Sequence, residues 1–155
     1  SLQEPALVEF IREEITRAGV PPERLCFEVS ETAAVLNLSA AIELGHRLKT
    51  LGCRFALDDF GSGLSAFGFA RRLPVDFLRI DGRLVREMLN DPVERAMVES
   101  IQRVAHLLGL RTIAESVETG EHLRVARALG IDAAQGYAIG RANPLDAVMP
   151  AVPRA

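Results

Sequence analysis

The chain of 155 residues is 48% hydrophobic and 25% charged, with a net charge of -3. This length suits one domain, and the apolar fraction is sufficient for a buried core. The small negative charge gives no electrostatic basis for binding a nucleic-acid polymer. No stretch approaches the roughly 20 apolar residues of a membrane span. Cys26 and Cys53 each fall in an apolar segment, which predicts that both thiols are buried. We therefore expect neither a disulfide framework nor a cysteine zinc site, and a reducing, cytoplasmic setting.

The predicted elements alternate between helix and strand along the chain. Helical periodicity over residues 4–19 is followed by the β-rich run "LCFEVSE" (25–31), a second helix (39–52) and the strand "RFALDDF" (54–60). The order repeats, with further strands predicted at 76–81, 111–118 and 132–140. Glycines that predict left-handed helix stops precede four of these strands, at Gly19, Gly52, Gly109 and Gly130. Such alternation predicts parallel βαβ units, hence the α/β class.

Polar residues cluster toward the carboxyl ends of the predicted strands. They are Glu28, Glu31, Asp58, Asp59, Arg79, Asp81, Glu115, Glu118 and Gln135. In parallel α/β folds those ends meet on one face, where ligands bind in (β/α)8 barrels and in open sheets alike. Polar ends on five consecutive strands favour the barrel, because an open sheet concentrates its ligand at one switch point.

The carboxylates predict a site for a hard cation. Several acids that converge without a cysteine or a well-placed histidine suit Mg²⁺ or Mn²⁺ better than zinc. The adjacent Asp58 and Asp59, helped by acids of neighbouring strands, could hold two ions about 4 Å apart and activate water for in-line attack on a phosphodiester. Solvated acids or helix N-caps are the alternatives, although the next helix is expected only near Ser65.

Five segments together resemble the successive motifs of a known family. They are "FEVSE", "DDFGSGLSAF", "LPVDFLRID", "IAESVE" and "DAAQGYAIG". They resemble the EAL domain family, bacterial phosphodiesterases that open cyclic di-GMP to linear pGpG, and the match runs from about Ser1 to Pro144. The resemblance implies a (β/α)8 TIM-type barrel, of which this chain holds about five βα units, and cyclic di-GMP as the ligand.

The resemblance also implies residue roles. The implied ligands of Mg²⁺ or Mn²⁺, two ions in the complete domain, are Glu28, Asp58, Asp59 and Glu115. The implied catalytic residues are Asp59, Arg79, Glu118 and Gln135, the last two in the hydrogen-bond shell of the site. Glu31 matches the acid that steadies the loop Phe60 to Phe67, in which Gly61 and Gly63 allow a tight turn.

Departures from the family pattern leave the activity open. Arg79 stands where the family has a lysine near the attacking water, and arginine is bulkier, forked and never deprotonated. Ser116 replaces a glycine. The glutamate-alanine-leucine signature and a later asparagine have no counterpart, so we expect residues 1–155 to be the C-terminal part of a single EAL-type domain, inactive alone.

The departures from the family motifs also leave the oligomeric state and the function partly open. We expect a homo-oligomer or additional upstream domains. The alternatives to a phosphodiesterase are a degenerate domain that senses cyclic di-GMP without cleaving it, which Arg79 favours and the intact acids oppose, and an interaction or dimerisation scaffold.

Overall fold

A computed structural model describes residues 5–62 and 67–142. The helices are α1 (Pro5–Ala18), α2 (Glu31–Leu36), α3 (Leu38–Thr50), α4 (Phe67–Ala70), α5 (Gly82–Glu87), α6 (Pro92–Leu107) and α7 (Gly120–Ala128), with a short 3-10 helix at Pro22–Arg24. The strands are β1 (Cys26–Ser30), β2 (Arg54–Phe60), β3 (Phe77–Ile80), β4 (Arg111–Ala114) and β5 (Ala133–Ala134). Gly63 and Ser65, on which a turn and a helix start are predicted, lie outside the described residues.

The five strands form one parallel sheet in the order β1-β2-β3-β4-β5. Each strand pairs with the next along the chain, as in the registers Glu28↔Ala56 and Ile113↔Ala133. The predicted parallel βαβ units are confirmed. Because the order never reverses in this sheet, it has no switch point, and all five carboxyl ends follow one another along a single rim.

Helices cover the outer face of the sheet. Phe55, Leu57 and Leu78 are fully buried, and the helical residues Leu84 and Val98 belong to the same core. Helix α3 approaches the sheet closely at Gly45, where an added Cβ would lie 2.7 Å from the Phe55 ring. A larger residue there would have to displace the sheet or the helix, so this glycine fixes the α3–β2 distance.

Helix ends follow the sequence signals. The four predicted stop glycines all have positive φ, between 64° and 90°. At the other ends, Ser30 Oγ accepts from Ala33 N and Asn37 Oδ1 accepts from Ala40 N. The Ser30 cap begins α2 directly after β1, so the strand predicted through Glu31 stops one residue earlier and α2 is an additional helix.

Two further expectations need correction. Cys26 is exposed, whereas Cys53 is buried as predicted. Side chains alternate along a strand, so Cys26 shares the face of β1 that carries Glu28, while the buried Val29 lies on the opposite face. The predicted fifth strand, 132–140, is reduced to Ala133–Ala134, because the chain turns away at Gly136.

Two aspartates tie strands together at the amino ends of the sheet, opposite the polar rim. Asp76, just before β3, accepts from Phe55 N of β2 at 3.0 Å and from Lys49 Nζ at 2.8 Å. Asp132, just before β5, accepts from Thr112 N of β4 at 2.8 Å and contacts His106 Nε2 at 2.9 Å. Burial favours a higher pKa for both carboxyls, but these bonds outweigh it and each pKa lies below its usual value.

Across the part of the chain that is described, none of the helices combines the length and the apolar character that crossing a membrane requires.

Candidate metal centre

A β-bulge brings Asp58 and Asp59 to the same place. Leu57 pairs with Leu78 and Phe60 pairs with Ile80, so the two aspartates lie opposite the single residue Arg79. In a regular strand adjacent side chains point to opposite faces, and the extra residue of a bulge breaks that alternation. Asp59 has φ +54°, a left-handed conformation that aspartate tolerates better than most residues. The pair is therefore compatible with a shared site, which alternation alone would forbid.

Glu115 joins this pair from the end of β4. One ligand oxygen from each of Asp58, Asp59 and Glu115 can be chosen so that all three lie within 4.8 Å of one another. Three converging carboxylates suit the all-oxygen coordination of Mg²⁺ or Mn²⁺. The geometry of these three side chains therefore fits one hard divalent cation.

The electrostatics of the cluster favour such a cation. Burial raises the pKa of Glu115, although Arg79 opposes the shift. Burial, together with the neighbouring charge of Asp58, also raises the pKa of Asp59. A raised carboxyl pKa means that the surroundings disfavour the ionised form, and a bound cation would relieve that cost.

Arg79 lies among the acids. Its Nε is 3.0 Å from Asp58 Oδ1 and also donates to Glu115 Oε1 at 3.0 Å. Its Nη1 contacts Glu28, and its Nη2 contacts Glu115 and donates to Gln135 Oε1 at 3.0 Å. The side chain is only 13% exposed. Arg79 thus contacts Glu28 together with two of the three converging acids, Asp58 and Glu115.

Glu31 is tied to the turn that follows Asp59. It is 4% exposed, and its Oε2 accepts from Gly61 N at 2.9 Å. Burial raises its pKa in spite of hydrogen bonds from the Gly61 and Ser62 backbone. Gly61 has φ +96°, and a Cβ there would lie 2.7 Å from Leu84 Cδ1. The hydrogen bond from Gly61 N to Glu31 is the kind of contact that the predicted loop-steadying role requires, at the described start of the loop 60–67.

A cavity of ≈ 500 Å³ opens beside the carboxylates. Its lining includes Asp59, Glu115, Glu118, Gln135, Arg83, Arg86 and Tyr137. Glu118 and Gln135 therefore line the same cavity as Asp59 and Glu115. The two arginines were not singled out from the sequence, because nothing in "GRLVREML" distinguishes them from a solvated helix face.

The Ser116 departure is accommodated locally. Ser116 has φ +53° and lies against Gly82, where a Cβ would overlap the serine hydroxyl. Arg86 Nη1 donates to Ser116 Oγ at 2.9 Å. Serine fits at this position because residue 82 has no side chain, and it fixes Arg86 at the wall of the cavity.

Comparison with known proteins agrees with this architecture. The chain is 42% identical over 145 residues to the cyclic di-GMP phosphodiesterase PdeB of Shewanella oneidensis, a match of 94% of this chain and 17% of that protein. The PaMucR phosphodiesterase in complex with c-di-GMP superposes with a TM-score of 0.89 at 30% identity, over 96% of this chain and 60% of that one. A manganese and cy-diGMP complex of Klebsiella pneumoniae BlrP1 gives 0.81 at 29% identity, over 88% and 35%.

These comparisons identify the fold as that of EAL domains, which is of the TIM-barrel type, and so confirm the fold expected from the sequence. The chain spans only 17% of the length of PdeB and 60% of the PaMucR chain. The description of the matching family is "EAL domain", and the match extends over residues 1–142. The chain therefore belongs to the EAL domain family.

Proposed function

We propose that this chain is part of a metal-dependent phosphodiesterase that hydrolyses cyclic di-GMP to linear pGpG. The observation that carries the proposal is the convergence of Asp58, Asp59 and Glu115 beside a cavity that also presents Arg83 and Arg86. Carboxylates suit a hard cation and arginines suit phosphate oxygens, so the cavity offers complementary partners for a phosphodiester. The relatives named for this substrate make it the first to test.

Each side chain has a role in this proposal. Asp58, Asp59 and Glu115 hold Mg²⁺ or Mn²⁺, which when bound polarises a phosphoryl oxygen and makes water a better nucleophile. Arg83 and Arg86 bind the phosphate, and their permanent charge stabilises the charge that develops on it. Glu118 and Gln135 accept or donate hydrogen bonds at the reacting group. Glu31 keeps the Gly61 turn in place, so that Asp59 keeps its orientation.

The assembly is part of the same proposal. Residues 1–155 form the C-terminal part of one EAL-type domain, whose remaining strands complete the barrel. A second metal position, a second copy of the chain or further domains belong to the whole protein, in a reducing, cytoplasmic setting.

A binding function without cleavage is the second candidate. It is favoured by Arg79, which bonds to Glu28 and Glu115 in place of the family lysine. Under this alternative the chain would retain cyclic di-GMP and never release pGpG.

The experiment separates the two functions. The protein with its complete barrel is incubated with cyclic di-GMP and Mn²⁺, products are resolved by chromatography, and binding is measured in parallel by calorimetry. We expect pGpG to form, and Asp58→Asn to abolish its formation, while the surface variant Glu43→Gln leaves it unchanged. Binding without pGpG, from the protein with its complete barrel, would favour the sensor. Neither binding nor product would refute both.

A further inference from the structure

The two arginines of α5 that line the cavity have different partners. Arg83 Nη1 donates to Glu94 Oε1 at 3.0 Å, so its charge is already paired with a carboxylate. Arg86 Nη1 donates instead to the hydroxyl oxygen of Ser116 at 2.9 Å. Among the described residues Arg86 forms no ion pair, and its other N–H groups have no acceptor. Arg86 therefore brings to the cavity free donors and a charge that is not committed to a carboxylate.

Ser116 has a backbone conformation that glycine adopts more readily. Its φ is +53°, in the left-handed region, where a side chain carries a conformational cost. A serine held there is a reason to ask what its side chain does. The side-chain hydrogen bond that Ser116 forms with the described residues is the one from Arg86. In the described part of the chain, the hydroxyl therefore acts on Arg86 alone.

The backbone of Arg86 is held as well, from α7. His122 is 7% exposed, and its Nε2 lies 3.2 Å from the carbonyl oxygen of Arg86. Because a carbonyl only accepts, Nε2 carries the proton, and Nδ1 can accept from the Thr119 hydroxyl at 2.7 Å. The arginine is thus fixed through its backbone to α7 and through its guanidinium to the residue after Glu115. Such prior ordering favours affinity, because the ligand need not impose it.

We propose that Ser116 is a positioning residue that makes Arg86 the principal phosphate-binding group of the cavity. The proposal rests on the proposed function, and it adds which cation binds a phosphate of the dinucleotide and what orients that cation. A glycine at position 116, as in the family pattern, has no hydroxyl and would leave the guanidinium without this partner. Affinity for the dinucleotide then depends on a residue by which this chain departs from the family pattern.

The test is a double-mutant cycle on the affinity for cyclic di-GMP. It uses the protein with its complete barrel and calorimetry with chelator, so that no substrate is consumed, and is repeated on the KM of pGpG formation with Mn²⁺. Arg86→Met should weaken binding by about tenfold or more, because hydrogen bonds from a charged group are lost. Ser116→Ala should weaken it by about three- to tenfold, the cost of ordering one long side chain. In the Arg86→Met background, Ser116→Ala should change the affinity by no more than about twofold.

Arg83→Met is the matched control, since it removes the same charge from the same helix. Because Arg83 is paired with Glu94, its loss should weaken binding less than Arg86→Met does, by about threefold. Ser116→Ala should cost as much affinity in the Arg83→Met background as in wild type, because of the two arginines Ser116 bonds only to Arg86.

Ser116→Gly separates positioning from structural support. Glycine relieves the left-handed conformation, so the thermal midpoint should equal or exceed that of wild type, while the affinity should fall as for Ser116→Ala. A hydroxyl that only supports the fold would give a lower midpoint and an unchanged affinity, and this result would overturn the proposal. If Ser116→Ala fails to fold, Ser116→Gly and its combination with Arg86→Met decide.

Failure of this inference is distinguishable from failure of the proposed function. Equal losses from Arg83→Met and Arg86→Met, or additive losses from Ser116→Ala and Arg86→Met, would overturn the inference while cyclic di-GMP binding stands. A wild-type protein that binds no cyclic di-GMP, either with chelator or with Mn²⁺, would refute the proposed function and this inference together.

Discussion

Replacing Asp59 by asparagine should stabilise the metal-free protein. Asp59 is exposed at the bulge, and its side chain accepts no hydrogen bond from the described residues. Its neighbours include Asp58 and Glu115, and its pKa is raised by partial desolvation of the carboxyl within the cluster and by the charge of Asp58, although the residue as a whole is exposed. Asparagine tolerates the left-handed φ of +54° as well as aspartate does, so the backbone is unaffected. Only the charge is lost.

The magnitude follows from the separation of the charges. Two unit charges at the 4.8 Å that bounds the cluster repel by about 0.9 kcal/mol in water. Salt reduces the repulsion from Asp58, and Arg79 already offsets part of that from Glu115. We therefore expect a gain of about 1 kcal/mol, which raises the thermal midpoint by about 2–4 °C for a domain of this size.

The stability gained from Asp59→Asn depends on pH in a defined way. A carboxyl with a raised pKa costs stability above its folded pKa and costs none below its unfolded pKa of about 3.9. The gain from Asp59→Asn should thus be full at neutral pH and disappear as the solution is acidified.

The assay is thermal unfolding with chelator and with Mn²⁺. Wild type should gain stability from Mn²⁺ by mass action, and Asp59→Asn should lose most of that gain. The matched variant Asp58→Asn should destabilise without metal, because Asp58 bonds to Arg79 and accepts from Asp59 N. A fall in the metal-free midpoint of Asp59→Asn, or equal effects of the two variants, would refute this account of the cluster.

Three further changes have defined outcomes. Asp132→Asn should cost about 1 kcal/mol in chemical denaturation near neutral pH, since it weakens charge-assisted bonds. That cost should vanish as pH falls through the lowered folded pKa of Asp132, where wild type loses the same stability. Gly82→Ala should cost about 1–3 kcal/mol by overlap with Ser116, and Ser116→Gly should restore the midpoint. In the complete barrel, and on the proposed function, Arg79→Lys should raise the turnover of cyclic di-GMP more than it changes its affinity, because the family lysine at this position is expected near the attacking water.

Each of these predictions has its own contradicting result. A cost of Asp132→Asn that persists below the folded pKa of Asp132 would assign the effect to packing instead of charge. Gly82→Ala that is not rescued by Ser116→Gly would mean that the clash lies elsewhere. A fall in turnover of Arg79→Lys would show a site adapted to arginine.

The parts of the fold predictable from sequence are those fixed by local patterns. Helix stops at Gly19 and Gly52, and the position of β2, follow from residues only a few places apart. The bulge at Asp58 and Asp59 depends on how β2 pairs with β3, and no local pattern encodes that register. The strand-end positions predicted that polar residues share one face but not which of them make contact, because the Arg79–Glu28 contact joins residues 51 positions apart.

The two aspartates at the amino ends have a consequence for how the sheet opens. Asp76 fastens β2 to β3, and Asp132 fastens β4 to β5, whereas the residue before β4 is Leu110, which has no side-chain acceptor. The β3–β4 boundary is instead crosslinked at the other end, by Arg79 and Glu115. Among β2 to β5, the side chains thus fasten two pairs of strands, and the carboxylate cluster reinforces the backbone pairing of β3 with β4 between them. Local unfolding at the β3–β4 boundary, observable as amide hydrogen exchange in β3 and β4, becomes sensitive to whatever occupies the cluster.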